Sequence, residues 1–457
     1  MKTFNIFLLG LLICFTYSCT EPVKETTVQV DLQQPQLEAL TLYSLKQDII
    51  HEFSDDNLKA SFPLEGGDFF TLPHKPANGY VYIKPGEAVT IGAVSEKPLL
   101  LGAKGDISQE NDFLNRYVSA YAELKGKPPY MLFGHEPDSF RIHITDFNKP
   151  LYDLYAELEA SDMEPGFKEG IANRITTDLW EYFIPYPTFH MYSTGALPEL
   201  PSGFYEEFEQ IDFSQPTHLA FKENLKLAKD WAIRDIQFQD YETVPEYYTA
   251  ISKRMDSLYG NVGVLQDYYT YLQLVEDINH GNGLDANAQK IAAFEENSQS
   301  TVLKKLLQKN NAPWEHLKAG KRAPDFVAET REGKNVTRDS LMGKKLYVDI
   351  WATWCAPCLA EIPALKQLEH DLKDEPITFV SISIDTQKDK EKWASFIEQR
   401  ELGGVQLYTE GAWNSDLVAD YNISGIPRFF IIDENGHIIN ANAPRPSDPK
   451  AKEILLN

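Results

Sequence analysis

Cysteine is nearly absent from this 457-residue sequence, with four residues at positions 14, 19, 355 and 358. A framework of structural disulfides is therefore excluded for almost the whole chain. Basic residues are also few beside acidic ones, 43 Lys and Arg against 68 Asp and Glu, for a net charge of -25. No basic stripe is left to neutralise phosphates, which argues against a nucleic-acid partner. His135, His190, His218 and His280 are scattered without metal-ligand spacing, so no metal site is expected. No second long apolar run follows the first twenty residues, and no internal repeat or low-complexity tract is present. A chain of this length and 43% hydrophobic content is expected to fold as two or three globular domains.

The amino terminus carries a signal. Lys2 precedes an apolar run over residues 6–15, the length of a signal-peptide core and too short to span a bilayer. Small-residue cleavage signals are missing. Instead Thr16-Tyr17-Ser18 leads to Cys19, followed by Thr20-Glu21-Pro22. This segment resembles a bacterial lipoprotein signal, with Thr16 where such signals usually carry Leu. The resemblance implies residues 1–19 as signal and lipidated Cys19, and an exported chain anchored at a membrane of the cell envelope, facing the periplasm or the outer surface. Simple secretion and a retained anchor are the alternatives. Cys14 lies within the apolar run, so the mature chain would keep Cys355 and Cys358 as its one thiol pair.

Residues 20–106 read as strands: 27–32, 80–83 and 88–91 alternate or are β-rich, with turn signals at Gly66-Gly67 and Lys84-Pro85-Gly86. A small β-sandwich is the economical reading. Over 107–318 the spacing becomes helical, as in Leu114, Tyr117, Val118 and Tyr121, and an all-α domain is expected. The aromatic, proline-broken stretch from Tyr182 to His190 reads either as core plus a connection or as a binding groove. Proline, glycine and basic residues from Lys318 to Pro324 mark a boundary, and 319–457 reads as a third domain.

That last domain centres on Val348-Asp349-Ile350-Trp351-Ala352-Thr353-Trp354-Cys355-Ala356-Pro357-Cys358. A buried strand over 345–350 runs into two cysteines, and apolar residues at helical spacing follow over 359–372. The first thiol would sit at a helix N-terminus, where unpaired N–H groups favour its thiolate. The second would lie one turn on, within reach of a mixed disulfide formed by the first. A zinc site would need further cysteines or suitably spaced histidines. A c-type haem attachment needs His where Leu359 stands. A peroxiredoxin would place Thr three residues before its reactive cysteine, and Thr353 is two before. Redox exchange is the reading left.

With Ala323-Pro324-Asp325-Phe326, Trp351-Ala352-Thr353-Trp354-Cys355-Ala356-Pro357-Cys358 and Gly425-Ile426-Pro427, the last third resembles the TlpA/ResA type of envelope thiol-disulfide oxidoreductase. The resemblance implies an α/β thioredoxin fold at the C-terminus, here preceded by the β-sandwich and the all-α domain. It implies Cys355 as exposed nucleophile and Cys358 as buried resolving thiol. Asp349 would be general base for Cys358, and Glu361 matches the family's active-site glutamate, although a first-turn acid favoured by the helix dipole would look the same. Pro427 matches a cis-proline whose preceding residue, Ile426, pairs with substrate, and Trp354 would shield Cys355. Disulfide-containing proteins are the implied substrates, with a membrane thiol donor supplying electrons and no cofactor. A reductase is preferred over a dithiol oxidase or isomerase. A binding or scaffold lipoprotein with a subordinate redox domain is the alternative of a different class.

Overall fold

Alternation of side chains builds the first strand, β1 (Glu25–Val30), which buries Thr26, Val28 and Val30 and turns the residues between them outward. The computed structural model describes residues 25–31, 39–75, 77–127, 129–209, 211, 213, 216–236, 244–259, 263–279, 281 and 283–457. The expected signal segment, with Cys14 and Cys19, lies outside the described residues, as does His280. The described residues fall into two compact units, one within Met1–Glu209 and Pro216–Phe221, the other within Gln210–Gln215 and Lys222–Asn457.

In the first unit β1 is followed by β2 (Ala39–Ser44), β3 (Ile49–Ser54), β4 (Lys59–Pro63), β5 (Asp68–Leu72), β6 (Gly79–Ile83), β7 (Ala88–Glu96) and β8 (Leu99–Lys104). They form two four-stranded sheets, ordered β4-β1-β7-β8 and β3-β2-β5-β6. Val28, Leu42, Phe70, Val81 and Leu101 share one core between the sheets, which makes the expected sandwich. Among the described residues six α-helices follow: α1 (Gln109–Lys125), α2 (Pro137–Phe147), α3 (Lys149–Ala160), α4 (Pro165–Trp180), α5 (Tyr186–Thr194) and α6 (Glu206–Glu209). Strands β5 and β6 are buried at every position because their outer face is covered too. Phe69, Tyr80 and Tyr82 pack there against Phe113 and Tyr117 of α1 and Phe167 and Ile171 of α4. The aromatic stretch from Tyr182 to His190 runs into α5 and buries Phe183, Tyr186 and His190, while Phe189 is exposed.

In the second unit α7 (Lys222–Ile233), α8 (Val244–Tyr259), α9 (Gly263–Asn279), α10 (Gly283–Ala286), α11 (Ala288–Asn297) and α12 (Thr301–Asn311) come first. Then follow β9 (Val327–Glu329), β10 (Asn335–Thr337), β11 (Lys345–Trp351), α13 (Ala356–Asp371), β12 (Ile377–Ser383), α14 (Lys390–Gln399), β13 (Val405–Tyr408), α15 (Asp416–Asp420), β14 (Arg428–Ile432), β15 (Ile438–Asn440) and α16 (Pro449–Leu456). The sheet runs β10-β9-β13-β12-β11-β14-β15. Parallel β11, β12 and β13 are joined through α13 and α14, and β14 returns antiparallel beside β11. This is the thioredoxin fold. Tyr347, Phe429 and Ile431 form a core with Leu368 and Leu372 at the end of α13 and Leu455 of α16. On the opposite face Tyr421 stacks on Phe430, with ring centroids 4.3 Å apart. The hairpin from β14 to β15 turns at Asn435-Gly436, where Gly436 has a φ of +88°.

The order strands, helices, thioredoxin fold along the chain agrees with the expectation, but the compact units cut across the helical region. Contacts group α1–α6 with the sandwich and α7–α12 with the seven-stranded sheet. The reason is apolar: the outer face of β5 and β6 needs a cover, and the first helices supply it. The domain division at 106/107 and 318/319 is thus a proposal about folding units, distinct from these compact units.

Asn111 helps to fasten α1 to the sandwich. Strand β6 lies at a sheet edge, and at Tyr82 its buried backbone meets Asn111, whose Oδ1 accepts from the Tyr82 N–H and whose Nδ2 donates to the Tyr82 carbonyl, both at 2.8 Å. Asn111→Leu keeps the volume and leaves both backbone groups unpaired. It is expected to destabilise the protein by about 2–4 kcal/mol in denaturant unfolding. A change below about 0.5 kcal/mol would show that this pairing is dispensable.

Candidate active site around the cysteine pair

Strand β11 is a near-continuous apolar run because it lies between β12 and β14 with both faces covered. It delivers the chain to a tight turn, Ala352-Thr353-Trp354-Cys355, at its carboxyl end. Asp385, at the end of β12, pins that turn: its carboxylate accepts from the Thr353 N–H at 3.0 Å, the Thr353 hydroxyl at 2.8 Å and the Ser383 hydroxyl at 2.7 Å. All three residues are buried. Asp385 was not singled out from the sequence. A polar Ser-Ile-Asp-Thr stretch closing a parallel strand beside the cysteine strand was the signal available.

Cys355 is the N-cap of α13. Its Sγ accepts from the Cys358 N–H at 3.2 Å, and its carbonyl takes the first helical bond, from the Leu359 N–H at 3.0 Å. Cys355 and Cys358 are joined in a disulfide with Cα atoms 5.2 Å apart. Both are 4% exposed. The expected contrast between an exposed Cys355 and a buried Cys358 is therefore corrected for the disulfide form. Capping the helix and bonding to Cys358 fold the Cys355 side chain back onto the first turn.

Exposure at this end of the sheet belongs to tryptophan. Trp354 is 49% exposed and Trp413, in the loop before α15, is 40% exposed, with ring centroids 6.4 Å apart. Trp354 thus stands beside Cys355 on an open surface, and Trp413 joins it from a loop that no local pattern connects to the cysteines. Pro427 follows a cis peptide bond from Ile426. Arg428 lies opposite Ile350 in the register of β14 against β11, which brings Ile426 and Pro427, both half-buried, to the carboxyl end of β11.

Asp349 is buried, and its side chain lines the same small cavity as Cys358. Its carboxyl is pushed up to about 8, chiefly by loss of hydration, with the charges of Glu361 and Glu369 adding to a rise that a hydrogen bond from Ser381 opposes. Glu361 is occupied elsewhere. Its carboxylate accepts from the Ser447 N–H at 3.1 Å and the Ser447 hydroxyl at 2.9 Å, and the Arg445 guanidinium stands 3.9 Å away. It fastens the loop before α16 and acts on Asp349 through charge.

Arg428 joins the cis-proline loop to the helices of its unit. Its buried guanidinium donates to the Asn279 carbonyl at the end of α9 and lies 5.3 Å from the Trp314 ring centroid. Burial lowers its pKa to about 10. The Trp314 indole N–H in turn donates to the Asn279 side chain at 2.9 Å. Among the described residues no His, Cys, Asp and Glu cluster could hold a metal, and no helix is long and apolar enough to cross a membrane.

The Redoxin family matches residues 318–455. The thioredoxin-like protein YneN of Bacillus subtilis is 32% identical over 123 residues, which cover 27% of this chain and 69% of that protein. The last third of the chain belongs to the redoxin family of ResA-like thiol-disulfide oxidoreductases. The thiol-disulfide oxidoreductase ResA of Bacillus anthracis is 28% identical over 125 residues, covering 27% of this chain and 69% of ResA. Among solved structures, a thiol-disulfide oxidoreductase from Bacteroides fragilis is 25% identical, covering 30% of this chain and all of that one at a TM-score of 0.27. The redoxin domain is thus an enzyme domain for thiol-disulfide exchange.

Burial of Asp349 gives the redoxin domain a pH signature. Its folded pKa lies above the ordinary value near 3.8, so the folded state holds the proton longer than the unfolded chain. Stability from this group is full below about pH 4 and drains away as pH rises toward 8. The disulfide form of Asp349→Asn is therefore expected to gain on the wild type by several kcal/mol across that window, read by chemical denaturation at a series of pH values. A constant difference would contradict a buried, proton-holding Asp349.

Proposed function

We propose that this chain is an envelope-facing reductase of protein disulfides, working through Cys355 and Cys358. The observation that carries the reading is the pair itself: a disulfide closing the first turn of α13, with Asp349 in the cavity behind Cys358. After reduction, the N-terminus of a sixteen-residue helix favours thiolate at its cap. The Cys355 thiolate attacks a substrate disulfide and releases one substrate thiol. Cys358, its proton taken by Asp349, attacks the Cys355 sulfur, releases the second substrate thiol and restores the intramolecular disulfide.

Trp354 and Trp413 form the apolar rim on which a foreign chain would rest, and Ile426 before cis-Pro427 offers backbone for it to pair with. Those roles accord with the exposure and register of the residues. Cys19 is proposed as the lipidated anchor, and a membrane dithiol carrier as electron donor. The scaffold reading has no comparable arrangement of side chains in its favour.

Cys355→Ser should reduce insulin disulfides no faster than the uncatalysed background. Cys358→Ser should accumulate a mixed disulfide through Cys355, seen as a mass adduct that dithiothreitol removes. Wild-type turnover in either variant would refute the assignment.

A further inference from the structure

Cys358, Asp349, Trp351, Glu369, Gln406 and Gly403 line a cavity of about 10 Å³, the space of one water molecule. Two polar atoms at this cavity have no protein partner: the indole N–H of buried Trp351 and the Oε1 of Gln406, whose Nε2 already donates to the Gly403 carbonyl at 2.7 Å. One is a donor and the other an acceptor, and the Asp349 carboxyl supplies a third group. An unpaired buried polar group costs about 1–3 kcal/mol, and a water with two to four polar partners removes that cost.

Glu369 reaches the same cavity from α13 and, unlike Asp349, is only half-buried. A glycine leaves room for it: a Cβ at Gly403 would meet the Glu369 Oε2, while Gly404, with a φ of +63°, is required by its own backbone and by the Phe379 carbonyl, 2.7 Å from where its Cβ would stand. Among the described residues, the charged groups facing Asp349 all come from α13: Glu361, Lys366 and Glu369. Strands β12 and β13 offer neutral Ser381 and Gln406, while Arg428 of β14 is turned to Asn279. Glu361 is held by Ser447, and the Lys366 Nζ donates to the Arg400 carbonyl. Glu369 is the carboxylate placed to take a proton outward.

We infer that one bound water links Asp349 to Glu369, and that Glu369 is the proton exit for the resolving cysteine, a positioning residue acting through Asp349. The inference rests on the exchange reading above. In the mixed disulfide, the Cys358 thiol proton passes to the Asp349 carboxylate, and the Cys358 thiolate attacks the Cys355 sulfur. A Cys355–Cys358 bond forms. The bond from Cys355 to the substrate sulfur breaks, and its electron pair leaves on that sulfur, which takes a proton from solvent. The enzyme pair is oxidised by two electrons and the substrate disulfide reduced, with no further reactant in the turnover. Asp349 then returns its proton through the water to Glu369 and the bulk. A carboxyl held up to about 8 accepts a thiol proton readily and surrenders it slowly, so an exit carries kinetic weight.

Multiple-turnover reduction of a disulfide substrate by the full-length protein, with saturating dithiothreitol as electron donor and followed against pH in H2O and D2O, tests this, because each turnover leaves a proton on Asp349 that must depart before the next. Glu369→Gln is expected to lower the high-pH plateau about tenfold and enlarge the solvent isotope effect, and Glu369→Asp to restore most of the rate. Loss of a neighbouring negative charge also moves the profile midpoint to lower pH. A midpoint shift with plateau and isotope effect unchanged makes Glu369 a charge only and overturns the relay. A wild type that forms no mixed disulfide overturns both the relay and the exchange reading, whereas an active wild type beside an unaltered Glu369→Gln overturns the relay alone.

Discussion

The chemistry of this protein depends on one junction, where β11 ends and α13 begins with Cys355 as its cap. The strand is held on both sides by β12 and β14, so the point at which the chain leaves the sheet is fixed. Asp385 then holds Thr353 by backbone and hydroxyl together, and the turn has one way to deliver Cys355 to the helix. The helix terminus supplies N–H groups and a dipole to the sulfur. Bending that turn would separate the sulfur from both.

Behind the junction the same packing sets the proton chemistry. A central strand covered on both faces is apolar from Leu346 onward except at Asp349, and burial lifts that carboxyl toward the range in which thiols titrate. Nearby acids reinforce the rise and the Ser381 hydroxyl opposes it, so the surroundings adjust what depth chiefly sets. The redoxin domain is also bound to α9 and the 312–317 turn through Arg428, Asn279 and Trp314. Since Arg428 directly follows cis-Pro427, the helical segment bears on the loop proposed to receive substrate. That gives the helices of this unit a stake in the exchange site.

Much of this was legible in the sequence where it depends on neighbours along the chain. The strand, the Cys-x-x-Cys turn and the helix after it are local, and each appears close to its expected position. What escaped notice is carried by distant partners. Short β9 and β10 have too few residues for a pattern and exist by pairing with each other and with β13. Asp385 and Trp413 come to the cysteines only through the fold of the sheet and its loops. Nothing local said that helices would cover the outer face of β5 and β6. Burial of Cys355 follows from its bond to Cys358 and from helix capping, which residue type alone does not reveal.

The central claim is that the Cys355–Cys358 pair cycles reversibly under the control of its pocket. Equilibrating the full-length protein across glutathione redox buffers, with thiols counted by alkylation and mass, measures this directly. The account predicts one transition in which both thiols appear together, fitted by a two-electron couple. A pair that stays oxidised across every buffer, or thiols that appear one at a time, would contradict it.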